Sequence, residues 1–178
     1  MKLNLTINNQ TKSFEIQPYD ILLFVLRREG YYGPKNGCTN GDCAACAVLL
    51  DGKPVNSCLI MAAHCEGKNI ITIEGVGNPD HLHPVQKAFL DTSGAQCGFC
   101  TPGLIISAVA LLNENPNPTE ADVREAWSGN LCRCTGYMKP IEAVLQAAKV
   151  MQEQKAQGIP VELKQPEMVA VKRSEFTQ

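Results

Sequence analysis

Gly37-Cys38-Thr39-Asn40-Gly41-Asp42-Cys43-Ala44-Ala45-Cys46 is the stretch around which the whole chain is organised. Its three cysteines, spaced CxxxxCxxC and followed by Cys58, match the plant-type spacing for a [2Fe-2S] cluster held by four thiolates. Such a cluster is a concentrated negative charge, so backbone N–H groups must turn toward its sulfurs. The small residues Gly37, Gly41, Ala44 and Ala45 let the chain wrap that closely.

The other cysteines extend the pattern. Of nine in the chain, eight fall into two quartets: Cys38, Cys43, Cys46 and Cys58, then Cys97, Cys100, Cys132 and Cys134. Their spacings read as ligand spacings rather than disulfide pairs. Cys65 is left over and reads as a structural thiol. Structural zinc is the alternative for each quartet, since zinc accepts four thiolates and a CxxC pair is a common half-site. The CxxxxCxxC spacing and the close Cys132-Arg133-Cys134 pair both favour iron–sulfur over it.

The chain has 178 residues, 44% hydrophobic and 19% charged, with a net charge of -2 and a pI near 5.9. That length suits one domain or two small ones. The charge balance, with no Lys/Arg block, argues against a nucleic-acid or anionic-membrane surface. Met1 to Ile7 alternates apolar with polar and lacks the continuous apolar core of a signal peptide. The longest apolar run, Leu104 to Leu112, is too short to span a bilayer. A cytoplasmic protein, peripheral to a membrane at most through partners, is the expectation.

Read in order, Leu3, Leu5 and Ile7 alternate, Asn8-Asn9-Gln10 offers a turn, and Phe14 and Ile16 resume the alternation, which predicts a hairpin. Asp20 is the expected N-cap of a short helix through Ile21, Leu22, Phe24, Val25 and Leu26. After Cys46, residues 47–50 predict a buried strand, Asp51-Gly52 a tight turn, and Pro54-Val55 a return toward Cys58. Ile70, Ile71 and Ile73 supply the last strand. This is a small mixed sheet with a helix packed on it, a ferredoxin-like arrangement with the cluster loop at its edge.

Glycine and proline concentrate at Gly75-Val76-Gly77-Asn78-Pro79, which marks a boundary. Beyond it four helices are predicted. Pro84 to Leu90 is the first. Thr101-Pro102-Gly103 opens a second, with Thr101 able to cap it and Pro102 at its first position, apolar nearly all round and hence buried. Thr119 with Asp122 forms a capping box for a third that runs through Trp127. Pro140 begins a fourth, with Ile141, Val144, Leu145, Ala148 and Met151 on one face. The second quartet sits at the joints of this bundle. Cys100 lies just ahead of a helix N-terminus, whose exposed N–H groups favour an anionic cluster, and Arg133 either adds positive charge or is only a surface side chain.

Three motifs together carry a resemblance over about residues 1 to 154: Cys38 to Cys46 with Cys58, Gln96-Cys97-Gly98-Phe99-Cys100-Thr101-Pro102-Gly103, and residues 129–137, Gly-Asn-Leu-Cys-Arg-Cys-Thr-Gly-Tyr. The chain resembles the iron–sulfur (small) subunit of the molybdenum hydroxylases, the xanthine dehydrogenase, aldehyde oxidoreductase and aerobic carbon monoxide dehydrogenase family. The resemblance implies an α+β fold: a plant-type ferredoxin-like (β-grasp) [2Fe-2S] domain over residues 1–76, then a four-helix-bundle [2Fe-2S] domain over 77–154. Residues 155–178 read as a C-terminal tail.

It also implies roles. The first quartet holds the cluster nearer a flavin, the second the cluster nearer the molybdenum cofactor, and Gln96 and Cys134 contact the pterin of that cofactor. Thr39, Ala44 and Ala47 stand where the family more usually has Gly, Gly, and Thr or Ser. The sequence shows no nicotinamide fingerprint, no Walker loop and no flavin or substrate pocket. The chain is therefore expected to be an electron-transfer subunit of an oxidoreductase complex, with no complete substrate site of its own. Its partners would be a large molybdenum-pterin subunit and a medium FAD subunit. A stand-alone ferredoxin-type carrier and a zinc-stabilised interaction module are the competing readings.

Overall fold

A computed structural model describes residues 1–159. The chain is α+β, with one mixed five-stranded sheet and five α-helices. Strands β1 (Lys2–Ile7) and β2 (Gln10–Glu15) form the expected hairpin, with Leu3 opposite Phe14. Its two-residue turn, Asn8-Asn9, has φ of 49° and 61°. Positive φ at both positions matches the right-handed twist of the flanking strands, and asparagine tolerates it. Strands β3 (Ala47–Leu50) and β4 (Lys53–Asn56) form a second hairpin around Asp51-Gly52, built the same way. Strand β5 (Asn69–Ile71) runs parallel to β1 and antiparallel to β3, giving the order β2-β1-β5-β3-β4. Ile73, expected in that last strand, instead begins a short 3₁₀ turn through Gly75.

Alternation along the strands sends side chains to two cores. Leu3, Leu5, Ile7, Val48 and Ile70 pack with Leu22, Val25 and Leu26 of helix α1 (Leu22–Arg28). Ala47, Leu49 and Ile71 point to the other face and join the core of the helices. Strands β3 and β5 are therefore buried on both sides, while the outer positions of β1 (Lys2, Asn4) face water.

That second core is built on helix α3 (Thr101–Glu114), buried at nine of its fourteen positions as its all-round apolar sequence requires. Around it stand α2 (Pro84–Asp91), α4 (Glu120–Ala126) and α5 (Met138–Ala156). Trp127 donates its indole N–H to the Leu104 carbonyl at 3.0 Å and meets Phe89 edge-on, with centroids 6.3 Å apart. The buried ring thereby keeps a partner for its polar atom.

Several local expectations shift. Asp20 does not cap α1. Ile21 holds that position without a side-chain bond, and the Asp20 carboxylate instead accepts from the Gln17 N–H at 3.0 Å and from Arg28. Thr101 lies inside α3, whose N-cap is Cys100. Helix α5 starts at Met138, two residues before Pro140, and continues through Ala156 into the stretch read as a tail. The rest of that stretch, from residue 160, lies outside the described residues. The Thr119–Asp122 capping box forms as expected, with the Asp122 N–H donating to Thr119 at 3.3 Å and the Thr119 N–H to Asp122 at 2.7 Å.

Candidate metal centres

The first cysteine loop runs between α1 and β3, and its shape follows from its small residues. Thr39, Gly41 and Ala44 have φ of 62°, 90° and 47°, so the chain curls back on itself repeatedly. A Cβ on Gly37 would come within 2.7 Å of the Cys43 sulfur, so only glycine fits there. The curl aims backbone N–H groups at sulfur, as a cluster's charge demands. The N–H of Asn40, with those of Cys43 and Asp42, holds the Cys38 thiol down at about 7. The Ala45 N–H reaches Cys43, and the Gly41 N–H reaches Cys58 from across the loop. Burial nevertheless pushes the Cys58 thiol up to about 11. A buried thiolate there needs a cation beside it.

The second set comes from two loops. Cys97 and Cys100 precede α3, while Cys132 and Cys134 precede α5. Burial, with Cys132 beside it, pushes Cys100 up to about 12. At Cys132 burial acts against the thiolate, but the Thr135 hydroxyl, 3.0 Å from the sulfur, and the N–H groups of Thr135 and Cys134 outweigh it and lower its pKa. Cys97 and Cys134 are exposed, and so is Gln96 beside them. Arg133, expected to add positive charge, is also exposed.

The thiols meet in pairs: Cys38 with Cys43, Cys46 with Cys58, Cys97 with Cys134, and Cys100 with Cys132. Among the described residues, no three or more His, Cys, Asp or Glu side chains form a group that could hold a single metal ion. Two thiols at each of two irons is what a [2Fe-2S] cluster takes, whereas zinc takes four around one point. The donor set and its N–H groups thus fit the cluster.

Residues that the sequence reading left without a role join the two centres. The Leu131 N–H donates to the Cys43 carbonyl at 3.1 Å, and Leu131 is the neighbour of Cys132. Asn130, buried at 4% exposure, accepts from Ser107 of α3 at 3.1 Å and directs its amide toward the Ala44 carbonyl. Gly103 lets α3 come this close, because a Cβ there would lie 2.3 Å from that carbonyl. Tyr137 donates its hydroxyl to the Asn130 carbonyl and accepts from the Cys132 N–H, both at 2.8 Å. No spacing rule announces such contacts, because each depends on how two loops meet. Cys65 is fully buried beneath the sheet, and burial pushes its thiol up, as fits a structural role.

Comparison with known proteins agrees with this arrangement. Residues 5–70 match a 2Fe-2S iron-sulfur cluster binding domain, and residues 72–145 match a [2Fe-2S] binding domain. The nicotinate dehydrogenase small FeS subunit of Eubacterium barkeri is 43% identical over 148 residues, covering 83% of this chain and 94% of the relative. The chain belongs to the iron–sulfur subunits of the molybdenum hydroxylases. The xanthine dehydrogenase iron-sulfur-binding subunit of Escherichia coli O157:H7 is 43% identical over 147 residues, 81% of this chain and 92% of that one. Among solved structures, quinoline 2-oxidoreductase from Pseudomonas putida 86 superposes with a TM-score of 0.82 at 40% identity, over 86% of this chain and 96% of that chain. Aldehyde oxidoreductase from Desulfovibrio gigas gives 0.84 at 42% identity, over 94% of this chain but 19% of that longer one. Like its relatives, this iron–sulfur subunit is part of an oxidoreductase. No helix among its described residues is long and apolar enough to cross a membrane.

Proposed function

We propose that Cys38, Cys43, Cys46 and Cys58 hold one [2Fe-2S] cluster, and Cys97, Cys100, Cys132 and Cys134 a second. The chain then relays electrons from a molybdenum-pterin cofactor in a large subunit toward FAD in a medium subunit. When bound, each cluster takes up and passes on one electron at a time. The observation that carries the reading is the single hydrogen bond from the Leu131 N–H to the Cys43 carbonyl. It links a ligand of one quartet to the neighbour of a ligand of the other, so the two centres share one short path through the protein. Gln96 and Cys134, both exposed, are the residues of this chain that would meet a partner's pterin. Residues 1–76 form a β-grasp ferredoxin-like unit in this reading, and 77–154 a four-helix bundle. A cytoplasmic location fits such a complex.

The stand-alone carrier and the zinc module fit less well. Both relatives named above are subunits of larger enzymes, and both domain matches are to [2Fe-2S] binding domains. Substrate choice then belongs to the large subunit.

Cys43→Ala in the complex tests the relay. One of two EPR-distinct clusters should disappear and flavin reduction should stop, while the molybdenum site still reacts with substrate. Flavin reduction at the normal rate would falsify the assignment.

A further inference from the structure

The Thr135 hydroxyl has a geometry that the relay reading leaves unused. Its oxygen stands 3.0 Å from the Cys132 sulfur and also accepts the Tyr137 N–H, at 3.1 Å. Tyr137 holds this position in a left-handed conformation, φ 67°, with its hydroxyl anchored between the Asn130 carbonyl and the Cys132 N–H. A hydroxyl has one proton to give. Because the Tyr137 N–H donates to this oxygen, the hydroxyl proton remains free to point at sulfur. A thiol at Cys132 could itself donate, but a thiolate ligand has no proton, so in the loaded protein the hydroxyl is the donor of this pair.

We infer that Thr135 raises the reduction potential of the second cluster, through a hydroxyl hydrogen bond to the Cys132 ligand that Tyr137 orients. The inference rests on the two-cluster reading. A hydrogen bond to a ligand sulfur favours the reduced, more negative state of a cluster and so raises its potential. Thr135 also belongs to the short Cys132–Tyr137 loop, so its donor is held there by backbone contacts rather than by the partner subunits.

Thr135→Val keeps the shape and removes the hydroxyl, whereas Thr135→Ser keeps the donor. Each is examined in the full complex by potentiometric titration followed by EPR. In the valine variant the second cluster should be about tenfold harder to reduce, a shift of about 59 mV to the negative for one electron. The first cluster should not move, and the serine variant should match the unaltered complex. A valine variant that retains both iron pairs with an unmoved second potential overturns the inference. Should valine fail to assemble, the smaller Thr135→Ala against Thr135→Ser decides in the same way, equal potentials overturning it. One iron pair or none in the unaltered chain would instead overturn the two-cluster reading itself.

Discussion

Thr39 and Ala44, where the family resemblance implies glycine, both occupy left-handed backbone. An L-residue there costs about 1–2 kcal/mol, while glycine's greater freedom in the unfolded chain costs about 0.5–1 kcal/mol. Thr39 is exposed, so Thr39→Gly gives up little packing and should gain up to about 1 kcal/mol, or about 2–4 °C in melting temperature. Ala44 is buried, and losing its methyl group forfeits about 0.8 kcal/mol, so Ala44→Gly should be close to neutral. Thermal unfolding of the two variants checks this; a Thr39→Gly protein that melts lower than its parent sinks the argument. The proposed ligand positions were legible at this scale because thiolate spacing is a local property. Thr135, Asn130 and Tyr137 stood in a quoted motif without roles, because their partners lie across a loop or on another element.

Helix ends show where reading by element succeeds and stops. Thr119 and Asp122 announced their capping box because both are residue types that cap well. His83 does the same for α2 and was missed, since histidine is not among the usual caps. Its Nδ1 accepts the Val85 N–H at 3.2 Å and its own N–H donates to Gln86 at 3.0 Å. Burial lowers its pKa to about 4. The folded chain thus refuses a proton that the unfolded chain takes up near pH 6.5. Stability from the neutral ring is complete above about 6.5 and is lost as pH falls toward 4, by about 3 kcal/mol in total. His83→Asn keeps a capping acceptor and removes the titration. Between pH 7 and 4.5 its melting temperature should fall less steeply than that of the parent protein, and parallel slopes would show that another group governs the acid limb.

At the scale of the whole molecule, the glycine–proline boundary near residue 76 separates two cluster motifs, but the second hydrophobic core straddles it. Ala47, Leu49 and Ile71 belong to strands of the first half, yet they pack with Val85, Leu104, Ile105 and Val109 of the second. Periodicity could not show this, because strands buried on both faces read as plain apolar runs, and a run does not say what covers each side. Had the second core closed within the helices alone, the chain would unfold in two steps. With the face of β3 and β5 covered only by the helices, separating the halves would expose that face together with the facing side of α3. Calorimetry of the full chain should therefore give a single cooperative transition, and residues 1–76 expressed alone should show none. Two resolved transitions in the full chain, or a first half that melts cooperatively by itself, would mean that the shared core contributes little to folding.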